Sequence, residues 1–118
     1  MKVLVVDDDV VSRMVLMHLI DSCGVHDIVE AEDGAAAWEQ LAGGLRPSLC
    51  FCDLRMPRLS GMELLQKIRS DSALDAMPLV LVSSANDHDT VRDAVQAGAA
   101  GYIVKPFQPE QVRQHIDA

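Results

Sequence analysis

Four side chains in this sequence could do chemistry together: Asp7, Asp8, Asp53 and Lys105. Each stands where an apolar run stops. Val3-Leu4-Val5-Val6 leads into Asp7 and Asp8, Cys50-Phe51-Cys52 into Asp53, and Tyr102-Ile103-Val104 into Lys105-Pro106. If those runs are strands of a parallel sheet, the acids and the lysine converge at its carboxyl edge, where open α/β folds build their sites. Carboxylates about 5 Å apart repel by roughly 3 kcal/mol per pair at an effective dielectric near 20. Lys105 offsets one charge, and the remainder calls for a divalent cation. An all-oxygen set without His or Cys selects Mg²⁺, or Mn²⁺ in its place. Two carboxylates and one backbone carbonyl suffice, because Mg²⁺ keeps several waters.

A carboxylate between such an ion and an ammonium is set up for phosphoryl transfer. Asp53 is the candidate nucleophile, giving an aspartyl phosphate. Metal and lysine would neutralise the transferring group, and Ser83 would offer it a hydroxyl once in place. No histidine of this chain is suitably placed to attack, so the phosphate should arrive on another protein's histidine.

Positioning these groups takes strands alternating with helices. Residues 2–6, 49–52 and 78–82 are apolar without alternation, as central parallel strands covered on both faces are. Residues 27–31 and 100–104 give two shorter strands. Between them lie helical patterns. Asp9 is a plausible cap for the first, whose inward stripe is Val15, Leu16, Leu19 and Ile20, with Met14 and Met17 as core fillers or edge contacts. Asp33-Gly34 opens the second, with Ala37, Trp38 and Leu41 inward. Ser60 and Glu63 form a capping box for the third, followed by Leu64, Leu65 and Ile68 inward. Residues 71–77 read as a polar connection. The fourth helix spans about 87–97 with Val91, Ala94 and Val95 inward, and Gly98 stops it. Pro109 suits the first position of the last, with Val112 and Ile116 inward. Five strands and five helices in alternation predict a parallel sheet with helices on both faces.

Bulk composition bounds the possibilities. One domain over residues 1–118 can bury roughly two-thirds of its unfolded surface. With 49% apolar but only 3% aromatic residues, its core must be aliphatic. A net charge of −8 argues against direct contact with nucleic acid or an anionic membrane. No run is long enough to span a bilayer and no secretory pattern opens the chain, so a cytoplasmic protein is expected. Cys50 and Cys52 share one strand face and read as core rather than as metal or redox groups.

Val-Val-Asp-Asp near the start, Asp-Leu-Arg-Met-Pro…Gly around Asp53, Ser83 after the fourth strand, and Gly-Tyr-Ile-Val-Lys-Pro-Phe near the end carry a resemblance. In that order and spacing they are similar to the receiver domain of two-component response regulators, over essentially the whole chain. The resemblance implies a flavodoxin-like, doubly wound five-stranded parallel sheet of order 2-1-3-4-5, and a phosphorelay function. Asp53 would be the phosphoacceptor. Asp8, Asp53 and the Arg55 backbone carbonyl would hold Mg²⁺ (or Mn²⁺), with Asp7 acting through water. Lys105 would bind the phosphate, Ser83 would be the switch hydroxyl, and Tyr102 the aromatic that turns inward on activation. A cis Lys105–Pro106 bond is also implied. The donor would be a phosphohistidine on a sensor histidine kinase or phosphotransfer protein. The output would pass through the fourth helix, fifth strand and fifth helix to an effector or a second receiver. Such a domain phosphorylates and dephosphorylates itself and is not a conventional turnover enzyme.

Some positions depart from the pattern or tune it. Ser60 stands where the family often has Asp, yet the capping box keeps its structural role. Arg55 and Ala85, two beyond Asp53 and Ser83, should border the phosphate and set its lifetime: Ala85 cannot orient an attacking water, and Arg55 can shield or pair with the phosphoryl group. The small residues Ala97 to Gly101 should leave a flat output surface. A haloacid-dehalogenase-type phosphatase would need an acid where Arg55 stands. A flavin module would need Ser, Thr or Gly in the acidic first loop.

Overall fold

Apolar runs without alternation must be covered on both sides, and the sheet they form is the middle layer of the molecule. The computed structural model describes residues 1–117. In chain order these form β1 (Lys2–Val6), α1 (Val10–Ser22), β2 (Asp27–Ala31), α2 (Gly34–Ala42), β3 (Leu49–Asp53), α3 (Gly61–Arg69), β4 (Leu79–Ser83), α4 (His88–Gln96), β5 (Gly101–Val104) and α5 (Pro109–Asp117). Every strand pair is parallel, and the order is β2-β1-β3-β4-β5.

The two-residue period of the strands divides the core in two. Leu4, Val6, Cys50, Cys52, Leu79 and Leu81 face α2, α3 and α4, meeting Leu41, Leu64, Leu65, Ile68 and Ala94. Val3, Val5, Phe51, Val80, Val82 and Ile103 face α1 and α5, meeting Leu16, Ile20, Val112 and Ile116. Cys50 and Cys52 are fully buried, and burial pushes the Cys50 thiol up to about 12. They pack as small hydrophobes.

The helix starts follow the predicted chemistry. Asp9 accepts from the Val11 and Ser12 N–H groups, and Asp33 from Ala36. Ser60 and Glu63 complete their capping box, and Asp87 caps α4.

Several inward assignments are corrected. Val15 and Met14 are exposed on α1, and Val95 is exposed on α4. A helix on one face of a sheet buries a narrower stripe than its apolar content suggests, and here only Leu16 and Ile20 of α1 are buried. Trp38 sits half-buried at the core margin, its ring 5.2 Å from the Lys67 ammonium. Residues 71–77 are not merely polar, because Leu74 and Met77 plug the core below β4. In the stretch 97–101, Gly98 and Ala100 are exposed, and two side chains border it. Arg69 donates to the Gly98 carbonyl at 3.1 and 2.9 Å and also to the carbonyls of Asp75 and Met77. The His115 imidazole lies over Gly101, where an added Cβ would fall 2.3 Å from its ring.

Gly61, the last residue of the motif around Asp53, is required by contact. A Cβ there would lie 2.3 Å from the Asp53 carbonyl oxygen and 3.0 Å from the Leu54 Cα. Alanine in a helix ordinarily gains up to about 1 kcal/mol over glycine. Overpacking against backbone costs about 1–3 kcal/mol, occasionally more, and here it should win. Gly61→Ala is therefore expected to lower the melting midpoint by roughly 5–10 °C in a thermal scan. An unchanged or raised midpoint would show that α3 can lift off the strand end freely.

Candidate functional site

Register brings the candidate residues to one level. Val6 lies opposite Cys52, Asp53 opposite Val82, and Ser83 opposite Val104. Asp7, Asp53, Ser83 and Lys105 therefore meet at the carboxyl edge, beside the point where the chain reverses its direction of winding between β1 and β3. Backbone bonds extend this level past the strands, from Leu54 N–H to Val82 C=O and from Lys105 N–H to Ser83 C=O. The Lys105–Pro106 peptide is cis.

Lys105 Nζ stands 3.4 Å from both Asp7 Oδ2 and Asp53 Oδ2. Asp7 is buried, and its other oxygen accepts from the Asp9 N–H at 2.9 Å. Asp53 is also buried, whereas Asp8 is exposed at the rim. One carboxylate oxygen from each of the three acids lies within 4.8 Å of the others. Burial pushes the Asp53 carboxyl up to about 6; Lys105 opposes the rise and Asp7 adds to it. A single ammonium thus leaves the ionised carboxylates under-compensated. The donor set is oxygen only and opens to solvent at Asp8, so it fits a hard divalent cation that keeps part of its water.

Ser83 is buried, and its Oγ accepts from the Ala85 N–H at 3.1 Å. Tyr102 is half-buried, and its hydroxyl donates to the Ala85 carbonyl at 2.6 Å. Both switch candidates are therefore tied to the two sides of one residue, Ala85. Arg55 is exposed on the β3–α3 loop. Its charge reaches α4: the Asp87 carboxyl lies below the usual range, chiefly through its hydrogen bonds from Thr90, with Arg55 a lesser contributor. Lys105, Pro106 and Phe107 also wall a groove of about 340 Å³ against Val11, Ser12 and Val15 of α1.

Three arginines leave no sequence signal for their partners: two stand near the carboxyl edge, and the third, Arg69, ties the opposite edge ahead of β4 and β5. Arg13 of α1 donates to the Asp7 carbonyl and to Glu30 of β2. Arg58 forks onto Asp33, and Arg69 gathers the three carbonyls described above. Their partners lie up to 29 residues away, and four of the six are backbone carbonyls. Neither feature leaves a period or motif.

Comparison with known proteins agrees with this geometry. A sequence model described as "Response regulator receiver domain" matches residues 3–117. The chain is 34% identical over 117 residues to chemotaxis protein CheY1 of Helicobacter pylori, covering 99% of this chain and 94% of that protein. It is 33% identical to a Campylobacter jejuni chemotaxis protein CheY homolog, covering 99% and 90%. Among solved structures, Vibrio cholerae chemotaxis protein CheY4 superposes with a TM-score of 0.87 at 28% identity, covering 98% of this chain and 95% of that one. A response regulator receiver protein from Pseudomonas putida gives 0.87 at 30% identity, covering 98% and 93%. The pocket of acids closed by a lysine, the strand order that builds it and these full-length likenesses lead to one conclusion: the chain belongs to the response regulator receiver domain family.

Proposed function

We propose that this receiver domain takes a phosphoryl group from a phosphohistidine onto Asp53 and uses the resulting charge to reshape the α4-β5-α5 face. The observation that carries the reading is Lys105 Nζ, 3.4 Å from Asp7 and from Asp53, beside three acids that share one pocket. An Asp53 oxygen attacks phosphorus, an O–P bond forms, and the N–P bond of the donor breaks with its electron pair returning to the imidazole. Lys105 pairs with the charge spread over the phosphoryl oxygens. Asp8, Asp53 and the Arg55 carbonyl would hold Mg²⁺ or Mn²⁺, with Asp7 acting through water; the ion supplies neutralisation of the transferring group. The groove borders Lys105, and its apolar α1 wall suits the flank of a sensor kinase or phosphotransfer helix that presents the histidine.

Phosphorylation adds about 1.5 to 2 negative charges and three acceptor oxygens. Ser83 Oγ, now accepting from Ala85, would turn to donate to the phosphoryl group. The freed Ala85 N–H belongs to the residue whose carbonyl holds Tyr102, so the change would travel to β5 through a single residue. An effector or a second receiver that prefers the altered face would then shift the equilibrium.

Incubation with a small phosphodonor and Mg²⁺ tests the reading. Intact mass should rise by one phosphoryl group, and removal of the divalent ion should prevent the gain. No gain with the ion present would sink it.

Arg55 should govern how long the phosphate lasts. An exposed pairing with the phosphoryl oxygens contributes about 1 kcal/mol. Arg55→Ala should therefore hydrolyse about fivefold faster when the decay of purified phosphoprotein is followed. An unchanged decay would remove Arg55 from that role.

A further inference from the structure

The loop between β3 and α3, residues 54–60, has to hold the Arg55 carbonyl at the acidic pocket, yet it crosses open surface. Its two ends are joined by a backbone bond from the Gly61 N–H to the Leu54 carbonyl at 2.9 Å. Its middle is fixed from elsewhere. Arg58 Nε donates to Asp33 Oδ2 at 2.8 Å, and a second guanidinium nitrogen donates to Asp33 Oδ1 at 3.0 Å. Asp33 is buried and also accepts from the Ala36 N–H at 2.8 Å, so the fork grips the first turn of α2. Beside it, Leu59 lies on Gly34 so closely that a Cβ there would stand 2.2 Å from the Leu59 carbonyl oxygen.

Arg58 takes this position in an unfavourable conformation. Its φ is +71°, the one non-glycine residue in the left-handed region among the described residues. A Leu59 N–H to Pro57 carbonyl bond at 2.8 Å closes a tight turn around it, but such conformations persist only where contacts from the surroundings over-determine them. The fork onto Asp33 is that contact, since a bidentate guanidinium–carboxylate pair fixes direction as well as charge.

We propose that the Arg58–Asp33 fork is a positioning device for the acidic pocket: it sets the path of residues 54–60 so that the Arg55 carbonyl is presented to a divalent cation. This rests on the proposed function, which makes that carbonyl a ligand. Arg58 itself touches no reacting atom and acts through the loop.

The sign of one measurement separates this from simple electrostatics. Arg58 is a cation near a cation site, so charge alone predicts tighter divalent binding when it is removed. Loss of a positioning contact predicts the reverse, weaker binding by roughly 10-fold or more, as for other groups that orient metal ligands. The probe is Mn²⁺, titrated into the full chain while the electron paramagnetic resonance signal of the free ion is read. Arg58→Gly accepts the positive φ and removes the fork; Arg58→Asn, the side chain best tolerated there after glycine, is the second variant. Both should remain folded by thermal scan, because the Arg58 side chain is 56% exposed. Both should bind Mn²⁺ about tenfold more weakly than the parent. Phosphorylation by a small phosphodonor should slow at low Mn²⁺ and recover at saturating Mn²⁺, which damage to Asp53 would not allow. Binding equal to or tighter than the parent's overturns the fork's role and leaves the proposed function standing. If the parent itself binds no Mn²⁺, the functional reading fails and takes this one with it.

Discussion

Asp53→Asn is expected to be inert towards phosphodonors and, without divalent ions, more stable than the parent at neutral pH. The first half follows from the attacking oxygen: an amide cannot form the acyl phosphate, so the mass gain should vanish and not merely slow. The second half follows from crowding. Burial, with Asp7 close by, pushes the Asp53 carboxyl from an ordinary 3.8 to about 6, against the pull of Lys105. Between those values the folded chain binds more protons at this site than the unfolded chain does, so stability falls as pH rises through the window. Above about 6 the full cost is present. Allowing for the water-facing rim of the pocket, that cost is about 1–2 kcal/mol. Asparagine cannot ionise and escapes it. Urea unfolding in the presence of a chelator should show the variant ahead at neutral pH and level with the parent below the ordinary carboxylate range. Added Mg²⁺ should then stabilise the parent more than the variant, because only the parent keeps the full ligand set. Equal stability at neutral pH would mean that the acids do not strain one another. A phosphoryl group gained by the variant would place the acceptor elsewhere.

That strain was legible in the sequence because strand ends are. Uninterrupted runs such as Leu4-Val5-Val6 and Cys50-Phe51-Cys52 can only be buried strands, and the first charged residue after each is forced to the same edge. The caps at Asp9 and Ser60 were equally readable, since capping is local chemistry between residues three apart. Legibility stopped where burial depends on which neighbour arrives. Val15 and Val95 have helical spacing but face solvent, because α1 and α4 each meet the sheet along one narrow line. Leu74 and Met77 sit in a stretch with no period at all and still fill the core. The acids and the lysine of the site could be found by their position after strands, but the arginines that tie the two edges of the sheet could not. Arg13, Arg58 and Arg69 act over 17, 25 and 29 residues, on partners that include carbonyls every residue possesses. The link from Ser83 through Ala85 to Tyr102 is hidden for the same reason, because the central residue contributes only its backbone.

Lys105→Met should move metal binding and phosphoryl transfer in opposite directions. Methionine keeps most of the aliphatic stem and removes the ammonium that stands 3.4 Å from Asp7 and from Asp53. At that distance and an effective dielectric near 20, each gross attraction is about 5 kcal/mol. Without it, the three acids hold a larger uncompensated negative charge, and a divalent cation should bind more tightly than to the parent. The folded chain without metal should lose about 2 kcal/mol, the scale of a charge-assisted hydrogen bond to the buried Asp7. Transfer depends on something different. Charge that develops on the phosphoryl oxygens would lose its fixed partner, and tighter metal binding would not replace the missing ammonium donor. Removing one such donor costs about 10²–10³ in rate. Phosphorylation by a small phosphodonor at saturating Mg²⁺ should therefore fall by that factor, while Mn²⁺ titration shows the ion held at least as firmly. A slow variant that also binds the ion weakly would indicate that Lys105 shapes the pocket and does not act on the phosphoryl group. A variant that transfers at the parent's rate would show that the ion alone handles the charge, and Lys105 would then serve only to keep Asp7 and Asp53 together.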